Sequence, residues 1–243
     1  MTATPETSND LRRRFAEVQS RIDAAALRSK RVPGEVKLLV VSKSHPADVI
    51  KSAIEAGVMD LGENRVQEAE DKIMTVGRRA ARWHLIGHLQ SNKARRAVTL
   101  FDFIHSLDSV ELAQRLDRMC VEEERDQLPV LIQMNLAGEA SKPGIDQHEL
   151  PELVETVKRC THLRLTGLMT VPPFYDDPER VRPVFRLLRE LRDELNSQKV
   201  FPSGNGELSM GMTNDFPVAI EEGATIVRIG TAIFGERRAL NNS

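Results

Sequence analysis

Near the start of the chain, apolar residues recur at helical spacing. Leu11, Phe15, Val18, Ile22 and Ala25/Ala26 fall on one stripe, Asn9 or Asp10 can cap it, and Pro33-Gly34 ends it, which predicts a helix over about 9–30. The period then changes. Leu38-Leu39-Val40-Val41-Ser42 is a short apolar run bounded by Ser44-His45-Pro46, the pattern of a buried strand. Further runs predict strands at Val58–Leu61, Trp83–Leu89, Phe101–His105, Val130–Leu136, Leu163–Met169, Glu207–Met210 and Thr225–Ile229. Amphipathic segments stand between them, among them 47–56, 93–98, 109–120 and 179–197, and a last helix begins at Thr231.

Eight strands alternating with helices over about 200 residues predict an α/β fold, a (β/α)8 TIM barrel. A doubly wound sheet is the alternative, but no glycine-rich nucleotide fingerprint follows the first strand. With no internal repeat, low-complexity tract or linker, 1–243 reads as a single domain.

Composition narrows the function classes. The chain is 40% hydrophobic and 29% charged with a net charge of −2, so it carries no overall electrostatic footprint for nucleic acid or an anionic membrane. Cys120 and Cys160 have no metal or CxxC spacing and read as buried free thiols in a reducing compartment. The N-terminus is polar and no apolar stretch approaches membrane-spanning length, so the expectation is a cytoplasmic protein without a membrane partner.

In a barrel of this kind the functional groups follow the strands, at the C-terminal face. Those positions hold Lys43, Asn64, His88, His105, Asn135, Met169, Ser209 and Gly230-Thr231. Lys43 has two readings. A strand-end lysine can snorkel to solvent, or partial desolvation can lower its pKa so that a neutral amine forms a Schiff base. The segments Leu208-Ser209-Met210-Gly211-Met212-Thr213 and Ile229-Gly230-Thr231 stand where barrels bind phosphate, and their glycines and hydroxyls also suit ordinary turns. Arg228 should share a face with Gly230 within an apolar strand, and there it needs a ligand heteroatom or a carboxylate as partner. A Schiff-base lysine with a phosphate site points to pyridoxal phosphate. His84 and His88 are four apart, but no carboxylate completes a metal set, and no metal is expected.

The motifs Val41-Ser42-Lys43, Gly62-Glu63-Asn64 with Val66-Gln67-Glu68, Trp83 to Lys93, Ser141-Lys142-Pro143-Gly144-Ile145, Gly167-Leu168-Met169, Leu208 to Met212 and Val227 to Gly235 resemble the YggS/PROSC family of pyridoxal phosphate homeostasis proteins. The resemblance covers roughly Val36 to Arg237 and implies a barrel like the N-terminal domain of alanine racemase. It implies pyridoxal 5′-phosphate held as a Schiff base on Lys43, with phosphate contacts around Ser209, Met210, Gly230 and Thr231. It also implies Arg228 near the pyridine nitrogen and a pocket lined by Asn64, His88 and Met169. The expected role is intracellular buffering or delivery of the cofactor to apo enzymes that depend on it, by a monomer. A low-activity amino-acid racemase using Lys43 with Tyr175 is the alternative. Lys142, in a loop on the pocket side, is a candidate for transient acceptance of the cofactor during hand-off.

Overall fold

The stripe of apolar residues at the N-terminal end folds as helix α1 (Ser8–Arg28), with Leu11, Val18, Ile22, Ala25 and Ala26 buried. In the computed structural model, residues 8–138, 142–202 and 204–235 are described. Eight strands follow: β1 (Lys37–Val41), β2 (Asp60–Glu63), β3 (Arg82–Leu85), β4 (Phe103–Leu107), β5 (Leu128–Met134), β6 (Leu163–Thr170), β7 (Glu207–Ser209) and β8 (Ile226–Ile229). Each pairs in parallel with the next, and β8 pairs with β1, closing a barrel. Helices α2 (Ala47–Glu55), α3 (Val66–Val76), α4 (Ala94–Leu100), α5 (Val110–Glu122), α6 (Leu150–Arg159), α7 (Arg182–Ser197), α8 (Phe216–Glu221) and α9 (Thr231–Phe234) complete the alternation.

The main apolar core lies between sheet and helices. Trp83, Phe101, Phe185 and Phe216 are fully buried there, and burying a side chain of that size contributes roughly 1.5–3 kcal/mol or more. The bore is different, for it holds His84, His105, Ser209 and Arg228 as well as Leu39 and Met169.

Two strands depart from the sequence expectation in ways that move functional residues. The third strand stops at Leu85, because Gly87 brings the chain against the loop after β2; a Cβ there would lie 2.2 Å from the Asn64 carbonyl oxygen. His88 is therefore in a loop and exposed, not at a strand end. The fourth strand starts and ends two residues later than predicted, since Phe101 caps α4 and Ser106-Leu107 continue the strand. His105 is thus inside the bore, fully buried, and not at the mouth.

The β7–β8 seam is short. Only Ser209 and Ile226 are in register, and the pairing continues beyond β7 through Met210 N–H to Ile226 O (3.1 Å) and Arg228 N–H to Gly211 O (2.9 Å). Gly211 has φ +93°, and a Cβ there would meet that of Ala219 at 2.6 Å, so glycine is required at this turn.

Candidate functional site

The tight turn that carries Lys43 begins directly after β1. Its neighbour Ser44 has φ +65°, a left-handed conformation that side chains other than glycine seldom adopt, so the surroundings must hold it. Glu68 on α3 accepts the Ser44 N–H. Lys72, one helical turn further, donates to Glu68 Oε1, Glu63 Oε1 and the Ser42 carbonyl, each at 2.7 Å. The Ser42 hydroxyl donates to Glu63 Oε1 at 2.6 Å. Both residues flanking Lys43 are thereby fixed to one cluster of charges. Burial pushes the Glu63 carboxyl up against the opposing pull of Lys72, and Glu63 Oε2 has no partner. In the half-buried Glu68, bonds from Lys72 and Ser44 outweigh desolvation and hold the carboxyl down. Lys43 itself is half-buried at the C-terminal mouth.

Barrel closure brings the last strand beside this turn. Leu39 is in register with Arg228 and Val40 with Ile229, while the backbone of Gly230 comes so close to Val41 that a Cβ would lie 2.9 Å from its carbonyl oxygen. The His45 ring contacts that of Phe234 at 4.4 Å between centroids, which seats the loop after β1 on α9.

Within the bore the polar side chains form a continuous chain. Asp60 Oδ1 lies 3.0 Å from His84 Nε2, His84 Nδ1 is 2.9 Å from His105 Nε2, and His105 Nδ1 is 2.9 Å from Ser209 Oγ. Arg228 then donates through Nη1 to Ser209 O (2.6 Å) and Oγ (2.8 Å), and through Nη2 to Thr170 O (2.7 Å). Burial lowers the Arg228 guanidinium to about 10, which still leaves it charged at neutral pH, with Asp215 as the nearby anion. Burial also lowers His84, against the pull of Asp60, and takes His105 well below its ordinary value. Desolvation would raise Asp60, but bonds from His84 and Arg82 hold its carboxyl below the usual range.

Two residues expected near the phosphate are engaged within the protein. The Ser209 hydroxyl is inside the bore between His105 and Arg228. Met210 is buried in the apolar core and its N–H is bonded to Ile226 O. Gly230 and Thr231 do stand at the mouth, at the start of α9, though four residues give that helix little dipole. Asn64 directly follows β2 and Met169 is fully buried in β6. His88 Nδ1 meets Asp108 Oδ2 at 2.9 Å, remote in environment from buried His84. Among the described residues no cluster of His, Cys, Asp or Glu could hold a metal ion.

The loop after β5 turns back on the strand end, with Gln133 Nε2 bonded to Pro143 O at 3.0 Å, and half-buried Lys142 belongs to it. Ser141 of the same motif lies outside the described residues. Beyond β6, the Tyr175 ring is covered by Arg180 at 4.3 Å and the Tyr175 carbonyl accepts from Asn214, tying this loop to the one after β7. Cys120 and Cys160 are buried free thiols, and burial pushes both up to about 11. A separate cavity of about 640 Å³ opens at the N-terminal mouth, lined by Arg31, Lys37, Arg164, Arg192 and Glu207. No helix of the described residues is long and apolar enough to cross a membrane.

Sequence reasoning passed over Asp60, Lys72 and Thr170, and gave Glu63 and Glu68 no role beyond the motifs they belong to. Glu68 and Lys72 carried one usable signal, the acid-then-base i,i+4 spacing on a predicted helix.

Residues 19–238 match the family model described as alanine racemase, N-terminal domain. The chain is similar to the pyridoxal phosphate homeostasis proteins of Aquifex aeolicus (44% identity over 93% of this chain and 97% of that protein) and Escherichia coli strain K12 (43% over 94% and 97%). Among solved structures it is similar to PipY of Synechococcus elongatus with pyridoxal phosphate bound, at 38% identity and a TM-score of 0.78, covering 93% of this chain and 100% of that one.

Proposed function

The chain belongs to the alanine racemase N-terminal domain family, among the pyridoxal phosphate homeostasis proteins, and from that premise we propose that it binds pyridoxal 5′-phosphate at the C-terminal mouth of its barrel. The observation that carries this reading is the meeting, across the β8–β1 seam, of a lysine turn fixed on both sides and a fully buried guanidinium whose hydrogen bonds go to uncharged acceptors. Lys43 would hold the cofactor, through a Schiff base between its side-chain amine and the cofactor's aldehyde.

Arg228 donates toward the pyridine nitrogen. A guanidinium can only donate, so it leaves that nitrogen unprotonated. The phosphate falls to the loops after β7 and β8, where Gly230 and Thr231 stand at the start of α9. Asn64, His88 and Met169 line the remaining wall.

When bound, the cofactor supplies an electron sink, and an unprotonated ring weakens it. A covalent hold at Lys43 with a weakened sink suits a protein that buffers the cofactor and passes it to apo enzymes, with half-buried Lys142 of the loop after β5 as the candidate for transient acceptance. Tyr175, the base a racemase would need, has its ring stacked under Arg180. The role is therefore holding and delivery.

Visible absorption of the purified protein with pyridoxal phosphate, followed by borohydride reduction and peptide mapping, tests this. The pyridoxyl label should sit on Lys43 and vanish in Lys43→Ala. A wild-type protein that takes no label would overturn the reading.

A further inference from the structure

The two ends of the chain in the bore decide where each of its hydrogens lies. At one end Arg228 only donates, so Ser209 Oγ accepts from it and has its own O–H to give. At the other end the Asp60 carboxylate, paired also with Arg82 at 2.6 Å, only accepts, so His84 carries its proton on Nε2. His84 Nδ1 is then a lone pair, which requires His105 to donate from Nε2 and to accept the Ser209 hydroxyl at Nδ1. Every bond points the same way, from Arg228 on β8 across the barrel to Asp60 on β2. All five side chains are at least nine-tenths buried, so water cannot substitute for a missing link.

We propose that His84, His105 and Ser209 are positioning residues that lock the Arg228 guanidinium in the orientation it presents to the ring nitrogen of a bound heteroaromatic ligand, with Asp60 as the acceptor that ends the chain. The inference rests on the cofactor reading above and adds to it a set of residues that touch no ligand themselves. Aligned hydrogen bonds in a dry interior polarise one another, and the nearby anion, Asp215, accepts from Met212 N–H and makes no hydrogen bond to the guanidinium. An adjacent carboxylate would accept the guanidinium's hydrogen bonds in place of the ring nitrogen.

The test has two parts. In protein labelled with ¹⁵N-histidine and free of ligand, long-range proton–nitrogen correlation should show His84 and His105 both neutral and both protonated on Nε2. An Nδ1–H form of either would overturn the inference. Protein loaded with pyridoxal phosphate ¹⁵N-labelled in the ring should then give an unprotonated ring signal in the wild type. That signal should move toward the protonated position in Ser209→Ala and in His105→Phe, with the dissociation constant raised roughly tenfold, as loss of support for one charged hydrogen bond gives. Ser209→Ala keeps the shape of β7 and serves if His105→Phe fails to fold. A label on Lys43 with an unmoved ring signal in the variants overturns this inference alone. Failure of the wild type to take the label at all overturns the cofactor reading, and this inference with it.

Discussion

Two buried polar networks flank the proposed site, and they are built on opposite principles. Beside Lys43, ions touch ions: Lys72 reaches Glu68 one turn away on its own helix, Glu63 at the end of β2 and the Ser42 carbonyl after β1. Inside the bore the charges stand at the ends, and neutral imidazoles and a hydroxyl fill the span between Asp60 and Arg228. The first arrangement suits a place where backbone must be kept in a conformation it would otherwise leave, as at Ser44. Direct Coulomb contact is strong but short in reach. The second suits delivery of one cation to a ligand across a closed barrel, where each further buried ion would carry its own desolvation penalty.

Removing a member of the ionic network should have the largest effect. Lys72→Met leaves Glu63 and Glu68 without their cation and should cost about 3–5 kcal/mol in denaturant unfolding. The pair Lys72→Met with Glu63→Leu should recover most of that loss, because an apolar replacement of both partners removes the stranded charge.

Acid should distinguish the second network. His84 and His105 have folded pKa values lowered by burial, so the unfolded chain binds the extra protons as pH falls. Their contribution is complete above the unfolded value of about 6.5 and is lost below it, at up to about 1.4 kcal/mol per pH unit for each histidine. The groups facing them are Asp60, Lys37, Asp102 and Arg228. Thermal melts between pH 7.5 and 5.5 should show the decline, and His105→Phe should flatten part of it.

Ser209→Ala should cost about 1–3 kcal/mol, by stranding the His105 and Arg228 groups that the hydroxyl joins. The His88–Asp108 contact is the control. His88 is half exposed, and His88→Ala should change stability by less than about 1 kcal/mol. A larger effect there would mean that the mouth, too, depends on a network.

The alternation of strands and helices could be read from local pattern, because apolar runs and their Gly/Pro breaks reflect what each segment buries. Lys43 could be read for a related reason, as a charge placed where the pattern demands an apolar residue or a turn. The polar bore misled the same logic. His105 follows Phe103-Ile104 and so looked like the end of a strand, although the strand continues through Leu107. Ser209 looked like a turn hydroxyl, and its partner His105 is 104 residues away in sequence. Links of that length depend on which strands closure sets opposite one another, and no local window contains them.

The short seam between β7 and β8 has a consequence in time. One registered pair and a few irregular backbone bonds join these strands, while the Arg228 side chain fastens β8 to both β7 and β6. The barrel therefore has a place to breathe. Amides of Glu207 to Ser209 should exchange with solvent through local opening, well before those of the long β5–β6 ladder. A ligand that engages Arg228 would slow that exchange at a strand it need not touch, and the closure of the barrel would report on whether its mouth is filled.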